Sequence, residues 1–340
     1  MKILTIIGAR PQFIKAAPVS AMFSGNDIEE IILNTGQHYD FNMSDIFFKE
    51  LKIPSAKYNL NVGSGSHGVQ TGNMLIKLDG VFQTEKPDIV LVYGDTNSTL
   101  AGALAASKFN IPIIHVESGC RSYNRSMPEE LNRVITDNLS TYLFCSSEIS
   151  KKNLHNEGIV NGIHVVGDVM FDIFKKYSKY HNDLNKYGEY CLLTLHRAEN
   201  TNKMALEKRI NQISLLNLNV ICPLHPRTRN KLNEYNISIP NNIQIVNPMS
   251  WMKMMNLVKN SNFVITDSGG LQKEALWHNK FCFTLREETE WTETIALGMN
   301  TLVNLEDDIN LELINCRKYV NPYGDGNSSE KIVNLISKLY

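Results

Sequence analysis

The stretch Ile111-Pro-Ile-Ile-His-Val-Glu-Ser-Gly-Cys-Arg-Ser-Tyr-Asn-Arg-Ser-Met-Pro-Glu-Glu-Leu-Asn-Arg133 holds three pieces of structure in one short span. A β-branched apolar run reads as a buried strand, a loop dense in charge follows, and an amphipathic helix starts near Pro128. Strand, loop and helix in that order form the repeating unit of a parallel α/β sheet. In such sheets ligands bind outside the carboxyl ends of the strands, so Glu117 stands where chemistry is usually done. Glu129 has a plainer reading on its own residues. Ser126-Met-Pro-Glu129 fits the S-x-x-E capping box, and Glu129 with Arg133 is spaced for an i, i+4 ion pair. Nothing downstream offers Glu117 such a role, and the functional reading leads there.

The same rhythm extends in both directions. Strands are expected near residues 2–8, 29–34, 88–94, 111–117, 142–146 and 163–166, with helical patterns over 42–52, 69–86, 97–108 and 128–140. After the polar segment Lys175 to Tyr187 the rhythm restarts, with strands near 190–195, 219–223, 243–247, 262–266 and 281–285. The expected fold is therefore α/β, with two Rossmann-like doubly wound domains facing a central cleft. The first spans 1–168, completed by a C-terminal helix over 327–340, and the second spans 169–326. A chain of 340 residues is already longer than a single core usually supports.

Composition narrows the partners. A formal net charge of -1 argues against a surface built for nucleic acid or for acidic membranes. The N-terminal apolar run is five residues before Gly8, too short for a signal peptide, and no window approaches the roughly 18 apolar residues of a membrane span. A cytoplasmic protein is expected. Cys120, Cys145, Cys191, Cys222, Cys282 and Cys316 are scattered singly and read as small core residues of a reducing compartment. No metal-ligand spacing such as H-E-x-x-H appears, and no metal is expected.

Charged and glycine-rich residues gather at the expected strand ends. Ser268-Gly-Gly270 lies between an apolar strand and a helix, where free amides and a helix dipole favour a phosphate. The dipole contributes only about 0.3–1 kcal/mol at an exposed site, so a diphosphate needs cations as well. Arg10, Lys15 and His196 are candidates, and Glu274 has the chemistry to accept from ribose hydroxyls. The plainer alternative is that Asp267 or Ser268 only caps the helix. Asp95 has the same alternative, although Thr96 or Asn97 could fill that role. With Glu117 on a neighbouring strand, Asp95 would complete a pair of carboxylates suited to acid and base work. His196 is followed by Arg197 and Glu199, and His225 by Pro226 and Arg227. Gly63-Ser-Gly-Ser-His-Gly68 matches G-x-G-x-x-G. The preceding Tyr58-Asn-Leu-Asn-Val62 is too polar for a buried strand, and no acidic residue ends a strand about 20 positions on. The loop is read as a flexible rim of the cleft, with His67 a substrate contact.

Together these motifs resemble the non-hydrolysing UDP-N-acetylglucosamine 2-epimerase family over essentially the whole chain. They are Gly8-Ala-Arg-Pro-Gln-Phe-Ile-Lys15, Gly36-Gln-His-Tyr-Asp40, Gly94-Asp-Thr96, Glu117-Ser-Gly119, Met127-Pro-Glu-Glu-Leu-Asn-Arg133, His196-Arg197 and Thr266-Asp-Ser-Gly-Gly-Leu-Gln-Lys-Glu274. The resemblance implies a GT-B-type pair of Rossmann-like domains, a homodimer as is common in the family, and inversion of carbon 2 of a UDP-sugar with no cofactor. It implies elimination of UDP to a 2-acetamidoglucal followed by re-addition. Asp95, Glu117 and Glu129 become acid/base candidates, which displaces the capping reading of Glu129. Lys15 and His196 join them as catalytic groups. Arg10, Lys15, His196, His225, Ser268, Gly269, Gly270 and Glu274 are expected to bind UDP, and Gln37, His38, His67, Arg121 and Arg133 the sugar. Cys120 stands where the family usually has leucine and Ser118 where it has alanine. The loop at Gly63–Gly68 lacks the arginine of members regulated by UDP-N-acetylglucosamine. That loop, with Thr194–Thr201, Pro223–Arg229 and Arg286–Glu293, resembles the subgroup acting on UDP-2,3-diacetamido-2,3-dideoxyglucuronic acid.

Overall fold

Two separate parallel sheets are built from the apolar runs. The computed structural model describes residues 1–23, 27–37, 54–179, 186–314 and 319–339, with Arg10 described by its backbone alone. The chain divides into two compact units, Met1–Lys175 with Asn321–Tyr340, and Lys176–Val320. The expected helix over 42–52 and the sugar-contact candidate His38 lie outside the described residues.

The first unit contains β1 (Lys2–Ile7), β2 (Glu29–Asn34), β3 (Tyr58–Asn59), β4 (Ile89–Tyr93), β5 (Ile113–Ser118), β6 (Tyr142–Cys145) and β7 (Ile163–Val165). Their order is β3-β2-β1-β4-β5-β6-β7, and every pairing is parallel. β4 is buried along its whole length, as a strand covered by helices on both faces must be. Leu4, Ile6, Ile31, Val90 and Val92 meet Met74, Leu78 and Phe82 of the helix His67–Glu85 and the small residues Ala101 and Ala105 of the helix Asn97–Lys108.

The second unit contains β8 (Cys191–Thr194), β9 (Val220–Pro223), β10 (Ile243–Val246), β11 (Val264–Thr266), β12 (Cys282–Thr284) and β13 (Asn300–Leu302), ordered β10-β9-β8-β11-β12-β13. Its core joins Leu193, Val220, Ile265 and Phe283 to Leu206 and Ile210 of the helix Lys203–Ser214. Each unit is thus Rossmann-like. The strand order reverses between β1 and β4 in one and between β8 and β11 in the other, and these reversals open the crevices in which doubly wound sheets bind ligands.

The chain returns to the first unit at its end, where the helix Ser328–Ile336 packs on the helix Arg10–Phe23. Asp172 fixes its start by accepting from the Ser328 amide at 3.0 Å and from the Ser329 amide at 2.6 Å.

Two local expectations are corrected, while Tyr58–Asn59, too polar for a buried strand, pairs as a two-residue strand at the sheet edge with Asn59 exposed. The short strand Asn300–Leu302, which the apolar pattern does not reveal, closes the opposite edge of the second sheet. The capping box at Ser126 is absent: the helix Pro128–Leu139 starts on a proline behind Met127 with no side-chain cap, and the Ser126 hydroxyl donates to Asn124 Oδ1 at 2.6 Å.

Candidate active site

In the first unit the site begins with two unusual pieces of backbone. Gly94 follows β4 with φ 64, and its amide donates to Val116 O of β5 at 2.9 Å. Glu117 also has a positive φ, of 71, although it is not glycine. The cause lies in the pairing: β5 and β6 run in register through Val116–Phe144 and resume at Ser118–Cys145, so Glu117 is the extra residue of a bulge. A bulge re-aims a side chain that strand alternation would fix, and the left-handed conformation costs of order 1–3 kcal/mol. The redirected carboxylate meets Lys15 Nζ at 2.5 Å. Both groups lie against Gly94, where a Cβ would sit 3.1 Å from Lys15 Nζ and 3.6 Å from Glu117 Oε1. Only glycine gives this turn both its φ and its room.

Asp95 follows at once, free of the capping role because Thr96 and Thr99 form the capping box of the helix Asn97–Lys108. Its carboxylate accepts from Arg133 Nε at 3.0 Å and Nη2 at 2.8 Å, while Asn132 Nδ2 donates to its backbone oxygen at 2.9 Å. Arg133 also reaches Glu130 at 2.5 Å. Glu130 is buried and folds the preceding loop around itself, accepting from the amides of Ser122 and Tyr123 at 3.0 and 2.9 Å. Glu129 lies half-buried beside it on the first turn of the same helix. A second network gathers at the start of the helix Asn97–Lys108. His67 Nδ1 lies within 3.1–3.3 Å of the Asn97 side chain, which donates to Gln70, and Gln37 accepts from the amide and hydroxyl of Ser98.

In the second unit the loops after β8 and β11 are joined by Asp267. This buried carboxylate accepts from the amides of His196 and Arg197, each at 2.9 Å, and lies 3.1 Å from His196 Nδ1. Burial raises the Asp267 pKa, but the His196 ring and these amides outweigh it and leave the carboxyl below its ordinary range. In return, Asp267 overcomes the desolvation of His196 and lifts its pKa, while 45% of the side chain stays exposed. The helix Gly269–Trp277 starts here. Neither Asp267 nor Ser268 caps it through its side chain, so the plainer capping alternative does not hold. A Cβ on Gly269 would strike Glu290 Oε1 at 2.4 Å, whereas one on Gly270 would meet nothing within 4 Å. The first glycine makes room for protein and the second faces open space. Glu274 accepts from the indole of Trp251 at 2.6 Å, and His225 accepts from the Arg227 amide at 3.2 Å, capping its own helix Pro226–Glu234.

A family model described as UDP-N-acetylglucosamine 2-epimerase matches residues 21–337. The chain belongs to the UDP-N-acetylglucosamine 2-epimerase family. This family member is 51% identical over an alignment of 358 positions to a UDP-N-acetylglucosamine 2-epimerase homolog of Methanococcus maripaludis, with all of both chains covered. It is 44% identical, again with both chains fully covered, to the UDP-2,3-diacetamido-2,3-dideoxy-D-glucuronate 2-epimerase of Pseudomonas aeruginosa. The crystal structure of the Methanocaldococcus jannaschii UDP-GlcNAc 2-epimerase in complex with UDP-GlcNAc and UDP matches with a TM-score of 0.92 and 42% identity, over 99% of this chain and 100% of that one. The family is one of isomerases.

For this epimerase the expected residues sort clearly by place. Lys15, Glu117 and the turn before Asp95 converge, and Glu129 and Arg133 share the adjoining helix. Arg10 opens the helix that carries Lys15. His196, Ser268, Gly269 and Gly270 adjoin through Asp267. Arg121, expected at the sugar, is buried here and pairs with Asp137 at 2.7 Å and with both oxygens of Glu157 at 2.7 Å. Those partners lie far along the chain, so no local pattern shows them. Asp137, Asp267 and Trp251 were missed as organising groups for the same reason, and Glu130 although its partners Ser122, Tyr123 and Arg133 lie within eight residues of it. The described cysteines are buried, and burial pushes the thiols of Cys145, Cys191, Cys222 and Cys282 up to about 12, far from reactivity.

Proposed function

We propose that the protein inverts carbon 2 of a UDP-2-acetamido sugar by eliminating UDP and adding it back, and that its substrate is UDP-2,3-diacetamido-2,3-dideoxyglucuronic acid. The product is the mannuronic epimer, a building block for surface polysaccharide such as O-antigen or capsule. One observation carries the reaction: two carboxylates, each paired with a cation, stand at the carboxyl ends of the neighbouring strands β4 and β5. Asp95, Glu117 and Glu129 supply the acid and base. One carboxylate takes the carbon 2 proton, the C–H electron pair forms the C1=C2 bond, and the C1–O pair leaves with UDP. Protonation of carbon 2 on the opposite face and attack of the UDP oxygen at carbon 1 complete the inversion. Each such proton transfer contributes about a hundred- to ten-thousand-fold.

Lys15 and Arg10 stabilise the departing diphosphate with His196, whose charged form Asp267 favours. The amides around Ser268, Gly269 and Gly270 bind phosphate at the helix start, and Glu274 binds ribose. His225 lines the same side of the second sheet, and Gln37, His38, His67 and Arg133 contact the sugar. The substrate choice rests on the motif resemblance and on the full-length relative of that activity. UDP-N-acetylglucosamine is the second reading, favoured by the match to a structure described as its complex.

The protein acts in the cytoplasm as a homodimer. No helix among the described residues is long and apolar enough to cross a membrane, and Ile76, Leu131 and Ile135 expose apolar side chains on two helices of the first unit. Light scattering reads the oligomeric state. The deciding experiment is proton NMR in deuterated water with each UDP-sugar separately. Deuterium at carbon 2 of the epimer is expected, and the sugar that reacts identifies the substrate. Asp95→Asn and Glu117→Gln should each keep UDP binding and lose at least about a hundredfold in turnover. Full activity in both would remove the assignment.

A further inference from the structure

We propose that His115 is held as an imidazolium and is the positioning residue that locks together the segments carrying Asp95, Glu117 and Glu129. The proposal rests on the acid/base reading above. His115 lies on β5 with no exposed surface. Its Nε2 is 2.7 Å from Gly94 O, the carbonyl of the peptide that leads into Asp95. Its Nδ1 is 2.6 Å from Asp137 Oδ1. A backbone carbonyl only accepts hydrogen bonds, so Nε2 carries a hydrogen. Asp137 is equally committed as an acceptor. Its Oδ2 takes the Gly119 amide at 3.1 Å and Arg121 Nη1 at 2.7 Å, two donors, one of them a guanidinium, that hold the carboxyl ionised. An ionised Asp137 requires a hydrogen on Nδ1 too. Both nitrogens donate, and the ring is cationic.

The charges around the ring close on themselves. His115 and Arg121 are positive, Asp137 and Glu157 negative, and only Glu157 reaches the surface, with 27% of its side chain exposed. A buried charge persists when it is paired and fully hydrogen-bonded, as here. The place of the ring gives this balance its use. Through Nε2 it holds the left-handed turn after β4. Through Asp137 it holds the Gly119 amide, two residues beyond the left-handed bulge at Glu117, where Gly119 itself has φ 76. Asp137 belongs to the helix Pro128–Leu139, the element that carries Glu129, Asn132 and Arg133. Three segments bearing carboxylates are thus tied to one ring that touches no substrate. A neutral ring would turn a bare nitrogen toward an acceptor oxygen and release one of the three.

Two variants separate charge from contact. In His115→Gln one amide replaces two donors, so either Gly94 or Asp137 is released. Asp137→Asn neutralises the ring yet keeps both contacts, because the new amide donates to Nδ1 while Nε2–H stays on Gly94 O. Nitrogen NMR of the histidine-labelled wild-type enzyme at neutral pH is expected to show both His115 ring nitrogens protonated, and Asp137→Asn to show one bare. His115→Gln, if it folds by circular dichroism, is expected to lose about a hundredfold in kcat with KM within about threefold, as a misplacement near 1 Å does. A bare ring nitrogen in the wild-type enzyme overturns the proposal, and so does His115→Gln with wild-type kcat. The NMR result stands apart from the acid/base reading: inactive His115→Gln alongside fully active Asp95→Asn and Glu117→Gln would overturn that reading while leaving the imidazolium in place.

Discussion

Replacing Arg121 with methionine tests whether this cation serves the fold or the substrate. The change removes both bonds to Glu157 and the contact to Asp137, while preserving much of the apolar stem. Breaking a buried ion pair typically costs about 3–5 kcal/mol, because the surviving charge stays buried without its partner. Here the two orphaned carboxylates differ. Glu157 is 27% exposed and can turn to water, whereas Asp137 has no exposed surface but retains His115 and the Gly119 amide. The low end, about 3 kcal/mol, is therefore expected. For a unit of this size that amounts to a midpoint lower by about 6–12 °C. The assay uses two probes. Trp251, Trp277 and Trp291 are the only tryptophans and all lie in the second unit, so fluorescence follows that unit while ellipticity follows both. Ellipticity should fall early with the tryptophan transition trailing, and turnover per folded molecule at low temperature should stay within about fivefold, short of the hundredfold of a lost acid or base. A shift under about 1 kcal/mol, or an undisturbed fold with turnover lost, would refute the reasoning.

Trp251→Phe removes the indole donor that fixes Glu274, and UDP affinity measured by calorimetry should weaken about tenfold, or about 1.4 kcal/mol; an unchanged Kd would detach Glu274 from the ribose. The His196–Asp267 pair makes the second unit depend on pH in two directions. Asp267 has a folded pKa below the ordinary 3.8, so its contribution is full above that value and lost as pH falls through the lower folded one. His196 has a folded pKa above 6.5, so its contribution is full below that value and lost as pH rises through the raised one. Urea midpoints read by tryptophan fluorescence should therefore show Asp267→Asn flattening both limbs, and His196→Gln removing the alkaline limb and weakening the acidic one, since the His196 and Arg197 amides still hold Asp267; a variant profile parallel to wild type on both limbs would reject the linkage.

The sequence by itself carried most of what depends on near neighbours, the capping box at Ser126 and the strand Asn300–Leu302 excepted. Continuous apolar runs such as Ile89–Tyr93 announced parallel strands, and the restart after Lys175 announced a second sheet. Thr96 was available as a cap, which left Asp95 for other work. Ser268-Gly-Gly270 sat where a strand gives way to a helix. Strands and helices are encoded by period and punctuation over a few residues, so these features were legible. What the tertiary structure decided were meetings between residues far apart. Glu117 points at Lys15 because β5 slips one residue against β6, a register fact with no local signal. Arg121 looks like a ligand contact in a charged loop, yet Asp137 and Glu157, 16 and 36 positions away, draw it into the interior. Asp267 passes for a helix cap until β8 and β11 pair and bring His196 beside it. A charge next to its neighbours in sequence has several plausible partners, and only the packing of the sheet chooses among them.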